Sequence, residues 1–299
     1  MQKEISNYKS FLALILLSAI WGSSFIFIKL SVENIQPVLL TFYRLLIATI
    51  FLFFFCNTKK IKNLFFHNKK DLLIIAIIGN VVPFNLISWS EVYVDSLVAS
   101  TLIGTMPIFT FILSFYFFKT KSPKNNVYLG LVLGFFGMYI FINPNESVSN
   151  DKHIYFSLLI ILSSMFYAFS ANWVKTLKNQ SSIELAFCSI AVATIICIPT
   201  IFIYFFIQSD PIDLIFSRIT FSNMVSASVL GILCTGLAIT VFFKLIEIEN
   251  AVFASQSNYL IPCFGFLWSY IFMDEKLTVN LFIGLTMIVY GAFLVNKRV

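Results

Sequence analysis

The chain has 299 residues, of which 59% are hydrophobic and 11% charged, with a mean hydropathy of +0.90 and a formal net charge of +6. Water-soluble domains run at about 45–50% apolar and about 25% charged residues. This chain therefore carries more apolar surface than one aqueous core hides, which excludes a soluble enzyme, a nucleic-acid-binding domain and a disordered polymer.

A helix that crosses a bilayer needs about 20 mostly apolar residues. Ten such segments follow one another, at roughly 11–30, 37–55, 72–90, 96–118, 127–143, 154–174, 184–207, 223–245, 251–272 and 279–296. The first follows Lys3 and Lys9, but it is long for a signal-peptide core and no small-x-small cleavage site follows it, so it is read as a span. With the N-terminus in the cytoplasm, fifteen of the twenty lysines and arginines fall on the inner side. Four fall outside (Lys29, Lys152, Arg218, Lys276), and Arg44 lies within a span. Positive charge collects on the cytoplasmic side of membrane proteins. The expectation is a multi-pass protein of the inner or plasma membrane with both termini cytoplasmic. The basic balance is then a topology signal, and no nucleic-acid partner is expected.

In span 1, Trp21-Gly22-Ser23-Ser24 precedes Lys29, and in span 6, 146 residues on, Tyr167-Ala168-Phe169-Ser170 precedes Lys175. Span 4 has Ala99-Ser100 and then Pro107; span 9 repeats this with Ala254-Ser255 and Pro262. Span 5 carries Gly130, Gly134 and Gly137, two of which recur in span 10 as Gly284 and Gly291. These matches, in one order, predict two copies, 1–147 and 148–299, of five spans each. Five is odd, so the second copy enters the membrane from the opposite side, a plan common among alternating-access transporters.

The segment WGSSFIFIK, Trp21 to Lys29, resembles the first-helix signature of the drug/metabolite transporter superfamily, EamA type. Pro37 with Arg44, the stretch from Pro83 to Glu91, the paired Ala-Ser and proline pattern, and Asp274-Glu275-Lys276-Leu277 before the spaced glycines are similar to later segments of that family. One departure is Phe118-Lys119-Thr120-Lys121, where relatives often carry an acidic residue. The resemblance implies an all-α membrane protein of ten helices in two inverted repeats. It also implies movement of small metabolites, often export of amino acids or related compounds.

The residues themselves point to a midplane site. Pro107 and Pro262 lack the N–H that would bond Ile103 and Asn258, which predicts two helix breaks lining a cavity. Span 9 is polar at its centre, from Ser255 through Tyr259, and polar groups at that depth need a partner or water. The expected substrate contacts are Trp21, Ser24, Asn85, Trp89, Ser100, Thr101, Tyr167, Asn172, Gln256 and Asn258. Asn80, Thr235 and Thr240 belong to the same polar set. Apart from Arg44 no ionisable residue lies deep in a span, so the wall is expected to be nearly neutral and to suit zwitterionic or uncharged solutes. Arg44 either snorkels outward or pairs with Glu91 or Asp95, as an outer gate or to help hold a substrate carboxylate.

Absent motifs narrow the rest. No aspartate or histidine lies mid-span, and no Walker-type loop is present, so transport is driven by a gradient or is passive. The five cysteines form no C-x-x-C pair and read as small buried hydrophobes, and His67 and His153 sit in polar connectors. No metal or cofactor is expected. The partners are a small-molecule substrate and the lipid bilayer, for a monomer or a homodimer. A membrane-embedded enzyme would need an acid/base pair at one depth, and a non-transporting scaffold would not need a symmetric polar cavity.

Overall fold

A computed structural model of the chain describes residues 2–120, 125–142, 151–177, 179–208, 211–273 and 279–296, and among them all regular structure is helical. Six helical segments are long and apolar enough to cross a membrane: Tyr8–Val32, Lys69–Ser90, Ser96–Phe117, Lys152–Thr176, Ser182–Ile207 and Phe221–Ile248. Shorter apolar helices at Pro37–Phe53, Asn126–Ile140 and Phe282–Gly291 fall on three further expected spans.

The chain opens with α1 (Gln2–Val32) and α2 (Pro37–Phe53). Pro37 stands in the first turn of α2 after an extended Gln36, where its missing N–H costs nothing. A short amphipathic helix, α3 (Thr58–His67), is capped by the Asn57 side chain, which accepts from the Lys59 backbone N–H. The third long segment is α4 (Lys69–Ala76) and α5 (Val82–Ser90), joined by a π-helical stretch at Ile77–Val81. The fourth is α6 (Ser96–Ile103) and α7 (Met106–Ile112), broken at Gly104-Thr105 and ending in a π stretch, Leu113–Phe117. Then come α8 (Asn125–Ile142), α9 (Asp151–Thr176), α10 (Ser182–Ile207) and a single-turn-scale α11 (Ile212–Ser217). The eighth expected span is α12 (Phe221–Val229) and α13 (Ala238–Ile248), joined by a longer π stretch, Leu230–Leu237. The chain closes with α14 (Ala251–Ser255), α15 (Ser257–Met273) and α16 (Val279–Asn296).

The two expected proline breaks come out differently. Pro107 sits in the first turn of α7, just past the break at 104–105, as its missing donor requires. Pro262 lies inside α15, and the interruption falls a turn and a half earlier, at Gln256. The cause is local. Ser255 and Ser257 donate their hydroxyls to the backbone carbonyls of Val252 and Ala254, and the Gln256 and Tyr259 N–H groups bond three residues back. Serine hydroxyls compete with the helical ladder and tighten the turn there.

Packing follows small residues. α8 lies along α16, where a Cβ on Gly291 would stand 2.5 Å from the Gly130 carbonyl and one on Gly137 2.8 Å from that of Gly284. Side chains at those positions would drive the helices apart. Tyr259, fully buried, lies over Gly134 and donates its hydroxyl to the Leu131 carbonyl at 3.2 Å, which ties α15 to α8. α1 packs on α12, α13 and α15; α9 packs on α5, α6 and α7; α2 packs on α10. Outward the molecule shows phenylalanine: Phe206 is 92% exposed, with Phe202 and Phe221 close behind. Such a continuous apolar exterior marks a surface that meets lipid.

Candidate functional site

Between the helices lies a central cavity of about 80 Å³, partly open to the outside. α1 brings Trp21, Ser24, Phe25 and Ile28 to its wall, α2 brings Arg44, and α9 brings Tyr167 and Ser170. The π stretches supply Gly79 and Asn80 on one side and Cys234 on the other. α5, α7, α13 and α15 add Phe84, Met106, Phe242 and Asn258.

The π stretches have a physical role here. An i→i+5 ladder widens the helix, and such bulges concentrate at functional sites. The extra residue turns side chains into the gap: Asn80 Nδ2 donates to the Ile75 carbonyl at 3.2 Å and Thr235 Oγ1 to the Leu230 carbonyl at 2.8 Å, each five residues back. Gly79 lies so close to Ser170 that a Cβ would collide with its hydroxyl, and Gly231 lies against the Arg44 carbonyl and Ile47. Glycine at these two places lets α9 and α2 approach.

Two aromatic pairs form the apolar wall. Trp21 meets Phe242 at 5.1 Å between ring centres, and Tyr167 meets Phe84 at 6.3 Å. The Trp21 indole N–H donates to the Cys234 carbonyl at 3.1 Å, which fixes the ring. The Arg44 guanidinium lies 3.9 Å above the Phe84 ring and donates from Nε to Thr235 Oγ1 at 3.1 Å. Arg44 is 4% exposed. It does not snorkel, and it makes no ion pair with Glu91 or Asp95.

Of the residues predicted to touch substrate, Trp21, Ser24, Tyr167 and Asn258 line the cavity. Asn258 Nδ2 lies 3.1 Å from the Met106 sulfur and donates to the Ser255 carbonyl at 3.2 Å. The others stand elsewhere. Ser100 and Thr101 donate to the Leu97 carbonyl inside their own helix. Asn172 donates to the Thr110 and Ala168 carbonyls and so staples α9 to α7. Asn85 donates to the Val81 carbonyl and Gln256 to that of Val252, each leaving its amide oxygen buried with no hydrogen bond. Trp89 is 54% exposed on the outside of the bundle. Asp95 is exposed at the residue before α6 and makes no side-chain capping bond. The stretch Asp274-Glu275-Lys276-Leu277 lies outside the described residues.

Sequence reasoning missed Phe84, Met106 and Phe242 on the wall. Nothing local marks them, because the chain has 36 phenylalanines and 7 methionines. Asn80, part of the polar set expected from sequence, lines the cavity, and so does Ser170, which the sequence marks only as part of the repeat motif.

Near each end of the bundle a lysine ties two helical segments together. Lys29, at the end of α1, donates from Nζ to the Glu91 carbonyl at 2.8 Å and the Val94 carbonyl at 3.4 Å, just past the end of α5. Lys175, at the end of α9, donates to the carbonyls of Ile246, Glu247 and Glu249 at 2.7, 3.1 and 2.9 Å, at the end of α13. Both use a cation against the negative pole of a helix C-terminus. Beside the first lysine the Glu91 carboxyl is buried, with Oε2 accepting from Ser96 Oγ at 3.3 Å. Burial raises it well above the usual carboxylate range, against the opposing pull of Ser96, Lys29 and Arg44.

A sequence model of the EamA-like transporter family matches residues 9–143 and again 155–297. An uncharacterized transporter of Bacillus subtilis (strain 168), YoaV, is 26% identical over 292 residues, 96% of each chain. An uncharacterized transporter of Archaeoglobus fulgidus is 27% identical over 97% of this chain and 99% of its own. A solved crystal structure superposes with a TM-score of 0.67 over 96% of both chains at 13% identity, a likeness of fold alone.

Proposed function

The chain belongs to the EamA-like transporter family of the drug/metabolite transporter superfamily, a multi-pass membrane transporter and not an enzyme, and from that membership we propose that it is a secondary transporter exporting a small amphipathic metabolite, an amino acid or a related solute. In this reading ten spans form two inverted halves, 1–147 and 148–299, with both termini in the cytoplasm. The halves rock about the central cavity and open it to one side at a time.

The observation that carries the reading is the make-up of the cavity wall. α1 and α9, the π stretches Ile77–Val81 and Leu230–Leu237, and the α7 and α15 regions all reach it, one of each pair from either half. Helix contacts agree: exchanging each span for the one five places on turns the α1–α13 contact into α9–α5, and the α1–α15 contact into α9–α7. Lys29 and Lys175 are partners under the same exchange, and each ties two helical segments near one end.

The test is flux. Purified protein in sealed liposomes, offered a panel of radiolabelled amino acids and related metabolites, is expected to equilibrate at least one of them saturably and faster than empty vesicles. A panel that moves no faster with protein than without it ends the proposal.

A further inference from the structure

We propose that the cavity is an anion site, and that its solute is a monocarboxylate with an apolar, preferably aromatic, body whose carboxylate is held by Arg44. The inference rests on the transport reading for how the solute enters and leaves, and deepens it by naming the solute's chemistry.

Arg44 is fixed at both ends. Its backbone is pressed against Gly231, and its side chain is held by Thr235 and the face of Phe84. The Nε–H is thereby used. The two terminal nitrogens carry four further N–H groups, which have no hydrogen bond among the described residues. No aspartate, glutamate, lysine or histidine lines the cavity with it. Glu91 makes no ion pair with Arg44; its Oε2 accepts from Ser96 instead. A guanidinium stays charged at any physiological pH, so the wall carries one positive charge with no acid on the wall beside it; Glu91, which acts on Arg44 electrostatically, lies off the cavity lining.

The other nitrogen donors on the wall are already engaged. The Asn80 and Asn258 amides and the Trp21 indole donate to backbone carbonyls, as does the Ser24 hydroxyl. The charged donor left over is the planar fork of Arg44, which matches a carboxylate through two parallel bonds. The remainder of the wall is largely aromatic and suits an apolar body. A zwitterion fits less well, because its ammonium would lose water and meet no acid. The near-neutral wall expected from sequence thus becomes a cationic one, because folding turns Arg44 inward.

Equilibrium binding to the full-length protein in lipid nanodiscs tests this with four probes of one shape: 3-phenylpropionate, 3-phenylpropanamide, phenylalanine and phenethylamine. The acid is expected to bind at least about tenfold tighter than the amide, or about 1.4 kcal/mol, with phenylalanine weaker than the acid and the amine weakest. Arg44→Gln is expected to bring the acid down to the level of the amide while amide binding persists, and Arg44→Lys to keep some of the preference. If Arg44→Gln does not fold, Thr235→Val replaces it and is expected to shrink the acid-to-amide ratio by freeing the guanidinium. Equal binding of acid and amide to the unaltered protein, no binding of any probe, or a preference that survives the variant overturns the proposal. Arg44-dependent binding without flux in liposomes would instead remove the transport reading and leave the anion site standing. Flux of neutral or zwitterionic solutes indifferent to Arg44 would do the reverse.

Discussion

Single residues differ in how far their surroundings commit them. Asn258 sits where α15 meets α7, on the cavity, with its amide N–H groups turned to Ser255 and Met106. Its oxygen is left for the cavity, so Asn258→Leu is expected to slow transport by about tenfold, the worth of one hydrogen bond at ~1.4 kcal/mol, while abundance in the membrane holds. Initial rates in liposomes at matched protein content check this. Glu91 is committed by burial. Its carboxyl is raised in the folded protein, so the folded state holds its proton to higher pH than the unfolded chain does. The resulting stabilisation is complete below the unfolded value near 4.5 and is lost as pH rises through the higher folded value. Thermal melting in detergent is therefore expected to weaken above about pH 5 in the unaltered protein and less so in Glu91→Gln. Parallel pH profiles of the two would show that Glu91 does not govern this range.

Helices bring such residues into pairs. α8 and α16 meet through glycine, with Gly291 against the Gly130 carbonyl, and a larger side chain there must push the backbones away from each other. Gly291→Leu is expected to lower stability by about 1–3 kcal/mol, the usual range for overpacking, and to leave the solute preference of the surviving protein unchanged. A melting curve like that of the parent would contradict the close contact. The lysine ties are a second helix-scale device. Cys234, on the cavity wall and buried, reports on access in a variant whose other four cysteines are replaced. Lys29→Met or Lys175→Met frees one end of α5 or α13, and either is expected to speed alkylation of Cys234 several-fold. Unchanged rates in both would mean that the lysines cap helices without closing the cavity.

Across the whole molecule the two ends differ in charge, and this sets the expected orientation. Gln36 and Asp95 are exposed at the end that carries the α1–α2 and α5–α6 connections; Lys69 is exposed at the other. A membrane-impermeant maleimide added to intact cells is expected to label single cysteines at positions 36 and 95 and to miss one at 69. Labelling at 69 with none at 36 would reverse the topology and, with it, the side assigned to each lysine tie.

The sequence by itself determined the class of molecule. Apolar runs near 20 residues, separated by short basic connectors, admit helices in a bilayer and little else, because hydrocarbon leaves backbone groups no partner but one another. The repeated Trp21/Tyr167 and Lys29/Lys175 motifs were legible because they are strings of residue type at fixed spacing. Trp21, Ser24, Tyr167 and Asn258 could be picked out as polar or aromatic residues beside small ones. Only the tertiary structure decided which polar groups face the cavity and which satisfy themselves. Ser100, Asn172 and Gln256 look like Asn258 in sequence, but a side chain at one depth points to cavity, lipid or neighbour according to a rotation of about 100° per residue, and π stretches and serine-tightened turns shift that rotation. Arg44 is the clearest case. A lone arginine in a span is costly wherever it points. Its direction was settled by Gly231, Phe84 and Thr235, on helices distant in sequence, which turn it onto the cavity wall.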